Sequence, residues 1–423
     1  MTEALRRPAS ERSTGVPGGD PAGELLGRRW REARSPTAVT HLDAAGAARQ
    51  SRATIAAQTE FLRAEAELGA YVAELTAADV LATARSTLAG LLGPGLTADG
   101  VVFHQSASAA FAALLTAWRL PERARIAVVP SEYGSNRLVL EARAAGSGLD
   151  LLDLPVDGRG VVDLDVLDRA GIAGAAAGGS CGLDEVDLVV FPQVPSQRGV
   201  VQPAAELGRR CADAGVPVVI DVAQGLGQVD TTGLGASAYV GTSRKWLCGP
   251  RGAAFVALRT EVIERLGVGV PSLYSARSAA GGPPIALAGA ARMSVGEASV
   301  VARIGLAQAL ADLAAAGPSA VRARIAALAA HGRRVLDGAG GWRVRERPDS
   351  PSGIITLQPP DGVDPVAVRD RLFRDLQILT SAIPSTRSRD LRGPLLRASA
   401  HAYNEPADLD RLARALAGRA GRG

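Results

Sequence analysis

The stretch from residue 216 to residue 254 constrains the fold and the chemistry of this chain more than any other. It contains two short apolar runs, 216–220 and 238–242, of the kind that forms buried strands in a parallel sheet. Asp221 follows the first run directly, and Lys245 follows the second by three residues. Open α/β sheets bind ligands beyond the carboxyl ends of their strands. The pattern therefore predicts a carboxylate and an amine at one edge of a sheet, against the alternative of a helix-capping Asp and a solvated Lys.

Lys245 is the only lysine in the chain, since 46 of the 47 Lys and Arg residues are Arg. Lysine is normally among the commonest residues. A primary amine can lose its proton and form a Schiff base with a carbonyl, whereas a guanidinium does neither. This contrast favours a chemical role for Lys245 over a solvated surface position.

Two motifs in this stretch, Asp221-Val222-Ala223-Gln224 and Thr242-Ser243-Arg244-Lys245, resemble the centre of the class V aminotransferase group of pyridoxal-phosphate enzymes. The resemblance implies fold type I, the α/β PLP-dependent transferase-like fold. Its large domain has a mostly parallel seven-stranded sheet, and its smaller C-terminal domain is α+β. It also implies that Lys245 binds the cofactor aldehyde and that Asp221 pairs with the pyridine nitrogen, so that the ring acts as an electron sink. Further cofactor contacts are then expected from Gln224, Thr242 and Arg244.

A second feature is the apolar run 101–103, which breaks into small polar residues before an Ala/Leu-rich helix at 109–118. A strand, a turn and a helix N-terminus form a phosphate site, because free backbone N–H groups and the helix dipole face the anion. We predict this role for Ala107 and Ser108; the alternative is that Ser108 is an N-cap. The turn lacks the Gly of the Ser-Gly-x-Thr motif in the resembling enzymes.

The resemblance assigns four further positions. Tyr133 replaces the stacking His of a Glu-His-x-x-Asn motif, and the alternative is a partly buried loop aromatic. Ser196 replaces an Asn that reaches the cofactor ring oxygen. Arg397, in an Arg-x-Ser motif, is expected to bind the substrate carboxylate, and Asn136 is expected to contact the substrate.

Cysteine desulfurases of the class V group need a nucleophilic Cys on the loop shortly before the carboxylate-binding Arg. Residues 370–396 contain no cysteine, which argues against a persulfide-forming desulfurase. The fuller pattern resembles the ergothioneine-biosynthetic hercynylcysteine S-oxide lyases of actinobacteria. It comprises Trp30–Arg34, His41–Asp43, Arg49–Ser51, Glu132–Gly134, Ser196–Gly199, Ser243–Leu247 and Gly296–Ala298.

That resemblance implies a homodimeric carbon–sulfur lyase. It would eliminate a sulfenic acid from hercynylcysteine S-oxide to give ergothioneine, pyruvate and ammonia. Glu297 is a candidate for contact with the trimethylammonium end of the substrate. The alternatives are another class V activity (an aminotransferase or a general cysteine-conjugate β-lyase) and a non-catalytic binding protein of the same fold.

Composition and organisation set outer limits. Three cysteines without motif spacing favour a reduced, cytoplasmic protein, and the N-terminus lacks the apolar core of a signal peptide. No apolar run approaches ~18 residues, so no membrane span is expected. Arginines dispersed among acids argue against nucleic-acid binding, and four scattered histidines argue against a metal site. The predicted organisation is a flexible extension (1–25), a large cofactor-binding domain (26–285) and a small C-terminal domain (286–423).

Overall fold

A computed structural model describes residues 20–173 and 179–418 of the chain, and all structural statements below refer to those residues. Its α-helices are α1 (Pro21–Glu32), α2 (Ala44–Ala47), α3 (Arg52–Leu68), α4 (Ala70–Thr76), α5 (Ala78–Leu92), α6 (Ala107–Ala117), α7 (Gly134–Ser147), α8 (Leu164–Ala170), α9 (Ala204–Asp213), α10 (Thr260–Ile263), α11 (Val300–Ala316), α12 (Pro318–Leu336), α13 (Pro365–Leu376) and α14 (Pro406–Leu416).

Its strands are β1 (Thr40–His41), β2 (Val101–His104), β3 (Arg125–Val128), β4 (Asp150–Asp153), β5 (Ile172–Ala173), β6 (Ser180–Cys181), β7 (Leu188–Pro192), β8 (Val218–Asp221), β9 (Ala238–Thr242), β10 (Ala254–Leu258), β11 (Ala276–Arg277), β12 (Ile285–Ala286), β13 (Arg343–Val344), β14 (Ile354–Gln358), β15 (Ile378–Leu379), β16 (Ser381–Ile383) and β17 (Leu395–Ser399).

The central sheet has the strand order β2-β10-β9-β8-β7-β3-β4-β5-β6. Strands β9, β8, β7, β3 and β4 pair in parallel, while β10 is antiparallel to both β9 and β2. Six of the seven strands from β2 to β4 thus share one direction, which confirms the predicted mostly parallel α/β sheet. The two-residue strands β5 and β6 extend the sheet antiparallel at its β4 edge, a detail that their short, weakly apolar sequences did not indicate.

The central strands are buried on both faces, which explains their continuous apolar sequences. In β8, Val218 and Ile220 face one hydrophobic core, and Val219 faces the other. Helices α3, α5 and α11 pack together on the first side, whereas α6 packs against β9 and β10 on the second. Asp221 is the last residue of β8, so it lies at the carboxyl end of this strand.

A second sheet, with the order β13-β14-β17-β16, is antiparallel and has its own hydrophobic core. The N-terminal part of the chain reaches this region, because β1 pairs in parallel with β15, and Asp43 forms an isolated bridge with Ser399. Asp43 is thereby placed beside strand β17, although more than 350 residues separate them in sequence.

The predicted division into three parts is compatible with these two sheets but stays a prediction. Of the predicted extension at 1–25, residues 1–19 lie outside the described part of the chain. Helix α1 begins at Pro21, because the carboxylate of Asp20 accepts a hydrogen bond from the backbone N–H of Ala22 and a proline suits the first helical position. In residues 20–173 and 179–418 no single helix is long and apolar enough to cross a membrane; α11 and α12 meet that criterion only as a pair, bent by 85°.

Candidate active site

Asp221 and Lys245 line one cavity at the carboxyl ends of the central strands, as the sequence predicts. Strands β7, β8 and β9 run side by side in parallel register, so the chain segments that follow them meet there. Nine of the eleven predicted site residues line this cavity, and they are the nine predicted to bind the cofactor: Ala107, Ser108, Tyr133, Ser196, Asp221, Gln224, Thr242, Arg244 and Lys245. The two predicted substrate contacts do not line it: Asn136 contacts Asp221, and Arg397 contacts Ser196.

The amine of Lys245 is buried in the cavity wall, with 8% of the residue exposed. Burial lowers the pKa of Lys245 to about 7, and the positive charges of Arg244, Arg397 and Arg387 act in the same direction, while Asp221 opposes them. An amine with that pKa is largely unprotonated just above neutral pH and can attack a carbonyl. Its Nζ lies 5.8 Å from the centre of the Tyr133 ring, so the ring and the amine border the same space.

Asp221 is held by two hydrogen-bond donors. Its Oδ1 accepts from the backbone N–H of Ala223 at 2.7 Å, and its Oδ2 accepts from the side-chain amide of Asn136 at 3.0 Å. Burial raises the pKa of the Asp221 carboxyl, whereas Lys245 and both donors favour the ionised form. The donors hold the carboxylate where a positively charged ring nitrogen can pair with it.

A second carboxyl, that of Glu132, shares the same amide. Its Oε1 accepts from Asn136 at 3.0 Å and from the backbone N–H of Tyr133 at 2.8 Å, while its Oε2 is buried without a partner among the described residues. Burial raises the pKa of Glu132 to about 8, and the neighbouring charge of Asp221 adds to the effect. Near neutral pH, Glu132 is therefore largely a neutral acid next to Asp221.

The predicted phosphate turn is in place, but its cap is not Ser108. Ser106 is the N-cap of α6, because its Oγ accepts from the backbone N–H of Ala109 at 3.1 Å. Ala107 and Ser108 are then the first two helical residues, and a helix has no internal acceptor for N–H groups at those positions. These two N–H groups stand at the positive end of the helix dipole, beside the cavity.

Gln224 has a fixed orientation beneath the cavity. Its Oε1 accepts from the indole Nε1–H of Trp246 at 2.7 Å, and its Nε2 donates to the carbonyl of Ala45 at 2.9 Å. An indole can only donate, so the Gln224 oxygen must face Trp246. The second N–H of Gln224 remains available to the cavity.

Arg397 lies in β17, and its guanidinium is engaged by its own chain. Its Nη1 donates to the carbonyl of Ser196 at 2.7 Å, and its Nη2 donates to Oδ1 of Asp43 at 2.9 Å and to Oγ of Ser381 at 3.2 Å. Ser381 is opposite Arg397 in the sheet register. Arg397 is 5% exposed. Its guanidinium contacts Ser196 at the edge of the cavity, which is compatible with a role in substrate binding.

The sequence analysis assigned no site role to Glu132, Asp43 and Trp246, although all three lie in its motifs. The structure shows that each contacts a predicted site residue. Each was visible as part of a motif, but its contact is made to a residue 4 to 354 positions away. A glutamate four residues after the apolar strand β3 was the one sequence signal that could have pointed to Glu132.

Glu297 lies in a different groove, where its carboxylate accepts a 3.2 Å hydrogen bond from the exposed hydroxyl of Tyr71. It does not line the Lys245 cavity. Among the described residues, no group of three His, Cys, Asp or Glu side chains is arranged to hold a metal ion.

The cavity fits pyridoxal phosphate on its own chemistry. It offers a reactive amine, a buried carboxylate, an aromatic face and a helix N-terminus, which match the aldehyde, the pyridine nitrogen, the ring and the phosphate of that cofactor. These features define the class: a pyridoxal-phosphate enzyme.

Comparison with known proteins gives the family. The family model "Aminotransferase class-V" matches residues 40–412. A "Probable hercynylcysteine sulfoxide lyase" of Mycobacterium tuberculosis (strain CDC 1551 / Oshkosh) is 40% identical over 98% of this chain and 96% of its own length. An "Isopenicillin N epimerase" of Streptomyces clavuligerus is 28% identical over 79% of this chain and 83% of its own.

Among solved structures, the cysteine desulfurase CsdA of Escherichia coli has a TM-score of 0.80 at 20% identity, covering 93% of this chain and 98% of its own. The cystine C-S lyase C-DES has a TM-score of 0.77 at 18% identity, covering 90% and 97%. These likenesses confirm fold type I. The chain belongs to the aminotransferase class-V family. It is a pyridoxal-phosphate-dependent carbon–sulfur lyase.

Proposed function

We propose that this enzyme cleaves hercynylcysteine S-oxide by β-elimination, releasing the sulfenic acid of ergothioneine and leaving pyruvate and ammonia. The observation that carries the proposal is a buried amine with a pKa of about 7 facing Asp221, in a chain without a cysteine in the loop before Arg397. The 40% identity to a relative named for this substrate, over nearly the whole of both chains, supports the choice of substrate.

The chain's own groups account for proton transfer. Bound pyridoxal phosphate supplies the covalent attachment of the substrate amine and an electron sink for the charge that develops at Cα. Nζ of Lys245 is the base that removes the Cα proton, since its lowered pKa matches that task near neutral pH. Asp221, which accepts hydrogen bonds from Ala223 and Asn136, would pair with the pyridine nitrogen of the cofactor.

The leaving group explains why no enzymic thiol is needed. The Cβ–S bond breaks and the S-substituent leaves as a sulfenate; two equivalents of an external thiol then reduce the sulfenic acid to ergothioneine, giving a disulfide and water. The loop between β16 and β17, which precedes Arg397, contains no cysteine. The three cysteines, Cys181, Cys211 and Cys248, are all buried.

The substrate's amino-acid end is assigned to Arg397, whose guanidinium already faces the Ser196 edge of the cavity. For Asn136, predicted to touch substrate, the observed contacts favour a positioning role toward Asp221 instead. We keep the substrate contact of Asn136 as a prediction that a ligand-bound structure would test.

The test is incubation of the purified enzyme, reconstituted with pyridoxal phosphate, with hercynylcysteine S-oxide and a thiol reductant. We expect ergothioneine, pyruvate and ammonia in equal amounts. Amino transfer to a keto acid without pyruvate would instead make the enzyme an aminotransferase. Equal turnover of unrelated cysteine S-conjugates would make it a general β-lyase. If the protein binds the cofactor but turns over no amino acid, it is a non-catalytic binding protein of this fold.

We further propose that the enzyme is a homodimer and works in the cytoplasm. Large apolar side chains stand exposed beside the Glu297 groove: 71% of Tyr71, 74% of Leu75 and 92% of Leu273 are accessible to solvent. Such a patch is typical of an interface. Light scattering of the purified enzyme measures its mass, and a monomer at micromolar concentration would contradict the dimer.

A further inference from the structure

A second groove, which the proposed chemistry leaves unused, lies next to the cavity around Lys245. The groove has a volume of about 800 Å³ and lies between the start of α7 and the loop 384–392. Tyr133 lines both the groove and the Lys245 cavity. Arg387 in this loop is also one of the cations that lower the pKa of Lys245. The two spaces therefore meet at Tyr133, and a molecule attached near Lys245 would have to pass this side chain to reach the groove.

The groove is positively charged, and part of that charge has no partner. Four arginines line it: Arg137, Arg387, Arg389 and Arg392. Arg137 pairs with Glu141 at 2.8 Å and with Asp153 at 3.1 Å, and Arg389 lies 3.5 Å from Asp153. Within residues 20–173 and 179–418, neither Arg387 nor Arg392 has a carboxylate within ion-pair distance.

The loop that carries these arginines is fixed at its base. The carboxylate of Asp390 forms a 2.6 Å ion pair with Arg198, and both side chains are largely buried, at 8% and 14% exposed. Arg198 also donates to the carbonyl of Asp390 at 2.9 Å, and Ser388 donates to the carbonyl of Pro130 at 3.1 Å. Arg387 and Arg392 therefore extend into the groove from an anchored loop, which reduces the entropy lost on binding.

We propose that Arg387 and Arg392 form a second carboxylate site, which binds a carboxylate at the far end of the S-substituent of the substrate. This inference rests on the proposed function, because hercynylcysteine S-oxide carries one carboxylate on its cysteine half and another on its betaine half. Arg397 takes the first and the groove takes the second. Guanidinium groups suit this task since they bind carboxylates through paired N–H donors. The enzyme is thereby selective for dicarboxylate conjugates over smaller cysteine S-oxides.

The experiment compares two substrates that differ only in the distal carboxylate: hercynylcysteine S-oxide and its analogue decarboxylated at the betaine end. The variants are Arg387→Gln, Arg392→Gln and the double variant, and the control is Arg374→Gln, which changes an exposed arginine on α13 away from the groove. We expect the groove variants to raise KM for the dicarboxylate about tenfold, the usual effect of losing one charge-assisted hydrogen bond. We expect KM for the decarboxylated substrate to be unaffected in all three variants, and kcat to be unaffected in Arg392→Gln, which leaves in place the Arg387 charge that acts on Lys245.

Equal effects on both substrates, or no effect on either, would overturn the proposal. A wild-type enzyme that does not cleave hercynylcysteine S-oxide would refute the proposed function but not the second site. In that case, the second site is tested by binding S-(2-carboxyethyl)cysteine and S-propylcysteine to the holoenzyme. Binding is monitored through the change in cofactor absorption. Weaker binding of only the carboxyethyl compound in the double variant supports the site, and equal binding of that compound to wild type and double variant rejects it.

Discussion

The side-chain amide of Asn136 donates a 3.0 Å hydrogen bond to Oδ2 of Asp221 and a second 3.0 Å hydrogen bond to Oε1 of Glu132. One amide nitrogen thus uses both its hydrogens to hold two buried carboxyl groups. The amide favours the ionised form of both carboxyls, whereas burial and the neighbouring charge of Asp221 raise the pKa of Glu132 to about 8. This arrangement sets the charge that the cofactor ring meets.

Replacing Asn136 by Ala should lower kcat/KM by about ten- to a hundredfold, because a hydrogen bond to a charged group contributes about 1.5–3 kcal/mol. The pKa of Asp221 should rise further, so pyridoxal phosphate should also dissociate faster. Steady-state kinetics and a dialysis assay of cofactor retention measure the two effects. Unchanged kinetics with a normal thermal midpoint would show that the amide does not position Asp221.

Replacing Glu132 by Gln should change how stability depends on pH. The pKa of Glu132 is 4.5 in the unfolded chain and about 8 in the folded one, so the folded state binds more protons between those values. Unfolding free energy is therefore lost as pH rises from about 4.5 to about 8. The variant, which cannot ionise, should lose less stability than wild type over that range in denaturant titrations. Parallel curves for the two proteins would contradict a raised pKa.

The amine of Lys245 should control the rate at which apoenzyme takes up pyridoxal phosphate. Its pKa falls from 10.5 to about 7, so the free amine increases as pH rises and is nearly complete just above neutrality. Uptake, followed by stopped-flow absorbance, should rise about tenfold per pH unit below pH 7 and then level off. A rate still rising steeply at pH 9 would mean that the amine is not desolvated. Lys245→Arg places a permanent cation at this position and should abolish covalent uptake at every pH.

Much of this site could be predicted from the sequence, because its main groups directly follow strands. One apolar run is followed by Asp221 and another precedes Lys245, which predicts both residues at the carboxyl-end edge of the sheet. The two strands are parallel neighbours, so the two residues lie close together. The contacts of Asp43 with Arg397 could not be predicted, since they depend on β1 pairing with β15 across the whole chain. Ser106 and Ser108 have the same capping chemistry, so the sequence left Ser108 open as an alternative N-cap, and the end of β2 at His104 decides for Ser106.

Trp246 should tune cofactor affinity through Gln224. Trp246→Phe keeps an aromatic ring next to His401, whose ring centre lies 5.8 Å away, but removes the indole N–H that holds Oε1 of Gln224. The amide can then rotate and present its oxygen to the cavity, where it would repel an anionic oxygen of the cofactor. We expect the dissociation constant of pyridoxal phosphate to rise about five- to tenfold, equivalent to about 1 kcal/mol. A lower melting temperature with unchanged cofactor affinity would make Trp246 a packing residue only.

Arg397 should decide how tightly the substrate's amino-acid end is bound. Two of its nitrogens donate to Ser196, Asp43 and Ser381, while its buried Nε has no partner among the described residues. A substrate carboxylate must therefore share or replace the contact with Asp43. Arg397→Lys keeps the charge but loses the paired donors, so KM should rise at least about tenfold with a smaller change in kcat.

Asp43→Asn is the matched test of the same contact. Removing the competing carboxylate should lower KM for the amino-acid substrate, provided that Ser196 and Ser381 alone keep the guanidinium in place. A substrate amine that lacks the carboxylate should respond to neither substitution, which separates carboxylate binding from general damage to the site. If Arg397→Lys impaired that amine as strongly as the amino acid, the guanidinium would be acting on the shape of the cavity and not on the carboxylate.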